Sequence, residues 1–191
     1  MNQEQLSSLL EAQQQVIEKI ALGAPLKVCL TTICELIENI IDSPNAKSSI
    51  LILEGVQLRH GAAPSLPKAY CDLIDGVTIG PSVGSCGTAV YTQKQTIVSD
   101  IEHDPLWADY KAYALEHNLR SCWSTPIMSS QKEVLGSFAI YSSHTKQPSR
   151  VDLDLIERFT HLSSLAIEKE QSSLREKKLT SQLRLSNEKL Q

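Results

Sequence analysis

The chain has 191 residues, enough for one domain of about 100–150 residues plus extensions, with a core large enough to need no disulfide or metal staple. Its 18 Lys and Arg against 22 Asp and Glu leave a net charge of −4 and no basic cluster, which excludes nucleic-acid binding through phosphate neutralisation. No apolar run approaches the roughly 18 residues of a membrane span, and the N-terminus lacks the segments of a signal peptide. Five cysteines, at 29, 34, 71, 86 and 122, show no CxxC spacing, so the expectation is a reduced, cytoplasmic protein with no structural metal and no membrane partner.

Leu6, Leu10, Gln13, Ile17 and Ile20 recur at a 4-3-4-3 spacing, a heptad seam with one polar position. A helix this short needs a partner for its stripe. Gly23 and Pro25 end it, and a second amphipathic helix follows with Leu26, Leu30, Ile33, Ile37, Ile40 and Ile41 on one side. That helix stops at the turn signal Asp42-Ser43-Pro44-Asn45. Residues 48–53 read as a strand, paired across Glu54-Gly55 with 56–59. A short helix over 68–74 and a strand stub over 77–79 come next.

The stretch GPSVGSCGTA, 80–89, sets three glycines and a proline before a helical run, with Ser85 as its predicted N-cap. Such a helix start attracts an anion to Ser85, Cys86, Gly87 and Thr88, although an ordinary tight turn has the same composition. The spacing is neither a P-loop nor a dinucleotide fingerprint. A brief strand over 96–99 leads into DIEHDPLWADY, where Asp104-Pro105 predicts a helix start. Trp107 and Tyr110, three apart, share a face of that helix. With Asp100 or Asp104 they would stack on a planar ring and accept its N–H donors; alternatively the aromatics seal the core.

Residues 121–128 and 134–141 alternate as strands joined by a loop at 129–133. Trp123, beside Ser121 and Ser124, sets a large ring among small hydroxyls, as ligand pockets often do. Pro148-Ser149 opens a helix whose core stripe is Leu155, Ile156, Phe159, Leu162, Leu165 and Ala166. The pattern then thins to Ile167, Leu174, Leu179, Leu183 and Leu190, an irregular coiled-coil linker. Helices at both ends of a largely antiparallel sheet predict an α+β layer architecture.

GSCGTA, a strand ending in SDI, DPLW, LRSCWSTPI, VLGSFAIY and PS..DL..IE, in that order, resemble the GAF domain family over residues 24–170. The SCGTA and SCWSTPI forms are similar to the GAF domains of bacterial sensors. The resemblance implies a six-stranded antiparallel sheet backed by the terminal helices, with a ligand pocket on the opposite face. It divides the chain into an N-terminal heptad-like helix (1–23), the GAF domain (24–170) and a helical linker (171–191).

The function implied is small-molecule sensing without catalysis, signalled through dimeric terminal helices to an output module. The leading ligand is a cyclic nucleotide, cAMP or cGMP, with no other cofactor. Its phosphate would meet Ser85 to Thr88, Asp100 and Ile101 would meet the purine edge, and Trp107 or Trp123 would stack on the ring. Since no counterpart of the NKFDE pattern is present, another planar or anionic metabolite is the alternative within that class. The alternative function is a free methionine-R-sulfoxide reductase-like or thiol redox-sensing domain using Cys86. The resemblance places that reductase's second cysteine near 116–119, where this chain has none. Cys86 and Cys122 are therefore expected as parts of a pocket wall and not as a redox couple. His60, His103 and His117 lack any feature that marks a ligand to iron and read as surface residues.

Overall fold

Strands form where apolar and small side chains alternate, because successive residues of a strand face opposite sides. A computed structural model describes residues 3–43 and 45–188; Pro44 of the turn signal and Leu190 of the linker pattern lie outside the described residues. Its strands are β1 (Lys47–Glu54), β2 (Gln57–Ala62), β3 (Val77–Thr78), β4 (Thr96–Val98), β5 (Ser121–Met128) and β6 (Val134–Ser142). They form one six-stranded sheet in the order β3-β2-β1-β6-β5-β4, every neighbouring pair antiparallel. Ile50, Trp123, Ile127, Phe138 and Ile140 face one side of this sheet, and Leu51, Cys122, Ala139 and Tyr141 face the other.

On the first side lie α1 (Gln3–Ala21), α2 (Leu26–Ile40) and α6 (Arg150–Glu188). α2 buries Leu30, Ile33 and Ile37 as its periodicity predicts. α1 packs inward through Leu9, Ala12 and Val16, and three of the predicted heptad positions turn outward, Leu6 43 % exposed, Leu10 56 % and Ile17 51 %, while Gln13 and Ile20 are half-buried, Ile20 against the core. Most of the seam read from the sequence is thus the outer stripe of the helix. α6 begins with a reciprocal cap, the Asp152 N–H donating to Ser149 Oγ (3.1 Å) and the Ser149 N–H to Asp152 Oδ2 (2.8 Å).

α6 buries Leu155, Ile156, Phe159, Leu162, Ala166 and Ile167. Leu165, predicted as core, is half-exposed, because at about 100° per residue it sits roughly a third of a turn from the centre of that stripe. It borders a surface groove with Gln13 and Ile17 of α1. The helix continues unbroken through the irregular spacing at 174–179, with Leu174, Leu179 and Leu183 exposed. Among the described residues no helix is long and apolar enough to cross a membrane.

The other side carries α3 (Lys68–Ile74), α4 (Gly84–Thr92), a 3-10 turn (Pro105–Trp107) and α5 (Lys111–Glu116). These enclose a second core with Tyr70, Val90, Ile101, Trp107 and Leu119. α4 settles close to the strands because Ser85, Cys86, Gly87 and Ala89 are small, and all are buried.

Candidate functional site: an aromatic cleft over the sheet

α4 starts at a backbone kink that only its sequence permits easily. Gly84 has φ +54°, a conformation costly for side chains with a Cβ, and its lack of one leaves the Trp107 ring bare beside it. The N-cap is Val83, not Ser85, and the Thr88 hydroxyl accepts the Val83 N–H (3.1 Å). Ser85, inside the first turn, is drawn elsewhere. Its hydroxyl donates to the Cys122 carbonyl (3.1 Å) and accepts the Trp107 indole N–H (3.0 Å), tying α4 to β5 and to the 3-10 turn.

Between α4, α3 and the sheet lies a narrow cleft, with an internal volume of only about 40 Å³, that opens to solvent. Leu51 and Leu58 form its floor with Tyr141, Tyr70 and Ile74 one side, and Gly84, Cys86, Trp107 and Tyr110 the other. Tyr70 and Tyr141 meet edge to face with ring centres 5.9 Å apart. Among the described residues no charged side chain lines the cleft. The N–H groups of Gly84, Ser85 and Cys86 precede the first α4 backbone bond, which Gly87 makes to Val83 (3.1 Å), and helix-start donors of this kind are the natural seat for an anion.

Of the residues predicted for the site, Ser85, Cys86, Gly87, Trp107 and Tyr110 reach the cleft wall, and Thr88 is buried just behind it. The expected helix after Asp104 is a 3-10 turn, followed by α5 from Lys111. Asp104 caps that turn by accepting the Leu106 N–H (2.9 Å). Asp100 lies on the surface, accepting the Glu102 N–H (3.1 Å) and pairing with His103 Nδ1 at 2.8 Å; that hydrogen bond holds its carboxyl below the usual range. Ile101 is buried in the core on the cleft side without lining the cleft.

Trp123 is on the far side of the sheet, in the core under α2 and α6. Its indole N–H donates to the Lys146 carbonyl (3.0 Å), and the Lys146 ammonium sits 5.7 Å from the ring centre. Strand alternation requires this, since Cys122 next to it faces α4. Sequence reasoning passed over Tyr70 and Tyr141. Tyr141 was open to discovery, because it pairs with Cys122 across β5 and β6 and so shares its face. Tyr70 carries no such signal. His60 and His103 are exposed, and His117 packs edge-on against Tyr70 with ring centres 5.9 Å apart.

The two cysteines of the SCGTA and SCWSTPI stretches lie close together, Cys86 in the cleft wall and Cys122 buried behind it. Neighbouring donors, the Cys122 thiol first and then the hydroxyls of Ser124, Ser137 and Tyr141, lower the Cys86 thiol despite its burial. Burial holds the Cys122 thiol well above its ordinary value, so Cys86 ionises first. Tyr141 Oη lies 3.8 Å from Cys86 Sγ. The Ser124 and Ser137 hydroxyls are buried and make no strict hydrogen bond.

A six-stranded antiparallel sheet with helices from both termini on one face and a small cleft on the other is the architecture of ligand-binding regulatory domains. The model of the GAF domain family matches residues 23–168, and the chain belongs to that family. A methyl sulfide methyltransferase-associated sensor from Methanosarcina acetivorans is 35 % identical over 167 residues. The match takes in 86 % of this chain and 16 % of that protein, so the chain spans about a sixth of its relative's length. Solved structures that share the fold include the following two. The GAF domain of an Acinetobacter phosphoenolpyruvate-protein phosphotransferase has TM-score 0.68 and 14 % identity, covering 92 % of this chain and 99 % of that one. A free methionine-R-sulfoxide reductase from Neisseria meningitidis, in complex with its substrate, has TM-score 0.67 and 14 % identity, covering 91 % of this chain and 95 % of that one.

Proposed function

We propose that this chain is a non-catalytic sensory GAF domain that binds a small planar ligand in the aromatic cleft and reports it through α1 and α6. The observation that carries this is the cleft itself: among the described residues it is lined by four aromatic rings and no charged side chain, beside the N–H groups of the α4 start. A cyclic nucleotide is the specific ligand proposed, with the base among Tyr70, Trp107 and Tyr110 and the phosphate on those N–H groups once the narrow cleft widens to admit it. The Ser85 hydroxyl, already engaged twice, leaves that phosphate only backbone donors. Asp100 and Trp123 have no part in this version.

Calorimetric titration with cAMP and cGMP tests the nucleotide, and a thermal-shift panel of neutral aromatic metabolites tests the class. A ligand at 100 times its Kd raises stability by about 2.7 kcal/mol, which a melting curve resolves readily. Absence of nucleotide binding at roughly millimolar concentration would remove the nucleotide and leave the sensor. Failure of the whole panel would leave α1 and α6 as a dimerisation spacer. The relative that matches over a sixth of its length is a sensor, which favours sensing over spacing. The reductase alternative predicts thiol-dependent consumption of free methionine sulfoxide, and none is expected.

The signalling half of the proposal is a homodimer. Leu6, Leu10 and Ile17 of α1, with Leu165 of α6, present an apolar stripe that this chain leaves uncovered, and a second copy supplies the same heptad pattern in return.

A further inference from the structure

Cys86 and Cys122 stand on different elements, 36 positions apart, and the fold brings them together. Cys122 is opposite Tyr141 in the β5–β6 ladder, and Ser85 is hydrogen-bonded to the Cys122 carbonyl at 3.1 Å. The next residue of α4, Cys86, thereby comes beside Cys122, with its sulfur 3.8 Å from the Oη of Tyr141, the cross-strand partner of Cys122. The two sulfurs differ in access, since Cys86 lines the cleft and Cys122 is sealed behind it. The Ser124 and Ser137 hydroxyls are buried on the same face of the sheet and have no hydrogen-bond partner among the described residues.

We propose that Cys86 and Cys122 form a peroxide-oxidisable dithiol, in which a hydroperoxide entering the cleft oxidises Cys86 and Cys122 resolves it to a disulfide. In the first step the Cys86 thiolate attacks the terminal peroxide oxygen and the O–O bond breaks. The sulfur becomes a sulfenic acid, and the departing alkoxide or hydroxide takes up a proton to leave as alcohol or water. In the second step the Cys122 sulfur attacks the Cys86 sulfur. The S–S bond forms, the S–O bond breaks, and the oxygen leaves as water with the Cys122 proton. Two thiols and one hydroperoxide become one disulfide, one alcohol (or water) and one water.

The surroundings assign the roles. Attack needs the thiolate, and Cys86 is both the thiol that ionises first and the one a solute reaches. Cys122, the weaker acid because of its burial, lies beside Cys86 to resolve the product before a second peroxide can overoxidise it, giving up its proton to the departing oxygen as the S–S bond forms. Of the remaining cysteines, Cys71 is on α3 at the edge of the same core and does not line the cleft. Burial pushes Cys34 up to about 12 and raises Cys29 and Cys71, and Cys29 and Cys34 lie in the core on the other side of the sheet. The inference goes beyond ligand sensing and does not depend on it, because it uses only the place of Cys86 in the cleft wall.

The test treats the reduced chain with hydrogen peroxide and with an organic hydroperoxide, followed by non-reducing peptide mass spectrometry and thiol titration. The expected result is a peptide pair joined through Cys86 and Cys122, with the loss of two thiols reversed by dithiothreitol. In Cys122→Ser, a sulfenic-acid trap should label Cys86 in place of the disulfide. In Cys86→Ser, thiol loss should slow by about tenfold or more, since the ionised, accessible sulfur is gone. If either variant fails to fold, peptide mapping of the unsubstituted chain decides alone. The proposal is overturned if Cys86 remains a free thiol at peroxide levels that oxidise a small-molecule thiol, or if oxidation falls on Cys29, Cys34 or Cys71. It is equally overturned if Cys86 oxidises without ever linking to Cys122. A failed ligand titration leaves each of these outcomes unchanged.

Discussion

Ser85 shows how one small side chain holds the cleft together. It satisfies both the Trp107 indole and the Cys122 carbonyl, and all three groups are buried. Ser85→Ala therefore removes little volume yet strands a buried donor, and is expected to cost about 1–3 kcal/mol in urea unfolding. Gly136 tests a different constraint. A Cβ there would lie 2.0 Å from the Leu51 carbonyl oxygen, so β1 and β6 could not keep their ladder. Gly136→Ala is expected to destabilise by more than about 3 kcal/mol, by the same measurement. Neither contact was legible in the sequence, since each depends on which strand lies alongside. The face of Trp123 was half legible. Alternation puts it opposite Cys122, but only the docking of α4 on Cys122 says which of the two faces holds the cleft.

At the scale of elements, periodicity and punctuation carried most of the reading. Gly23-Pro25, Glu54-Gly55 and Pro148-Ser149 mark ends and starts that hydrogen bonding alone would blur, and the Ser149–Asp152 cap bears the last of them out. Ser149→Ala should cost about 1 kcal/mol, the usual value of a helix cap, in the unfolding midpoint. The predicted helix after Asp104 became a 3-10 turn because Trp107 must reach Ser85, a tertiary bond that local propensity does not contain.

The loop between β5 and β6 is tied to α6 by Glu168, which accepts the Ser130 hydroxyl (2.7 Å) and its N–H (3.1 Å). The Ser130 hydroxyl, followed by its N–H and by Ser164, holds the Glu168 carboxyl below its ordinary range. A depressed carboxyl stabilises the fold above its unfolded pKa, about 4.3, and loses that contribution as pH falls through the lower folded value. Glu168→Gln should accordingly lose stability at neutral pH and converge on the parent chain in acid. The group is largely exposed, so solvent screening keeps the difference below about 1 kcal/mol.

For the molecule as a whole, the two faces of the sheet divide the work, and the dimer proposal depends on how they are joined. The cleft rests on Leu51 and Tyr141, whose strand neighbours Ile50 and Ile140 pack beneath α2 and α6. A shift of these strands on ligand binding therefore reaches the helices that carry the outer stripe. The variant Leu10→Glu with Ile17→Glu places two charges on that stripe at positions exposed in the single chain. Its melting temperature measured on the monomer should stay within a few degrees of the parent, because surface changes of this kind cost little. Sedimentation should show the parent as a dimer and the variant as a monomer, and a variant that remains dimeric would place the interface elsewhere. Linkage makes the test quantitative. If ligand and dimerisation are coupled, the factor by which the ligand shifts the dimer constant must equal the factor by which dimerisation shifts the ligand's affinity. Equal ligand affinities in monomer and dimer would show a cleft that binds without signalling through the terminal helices.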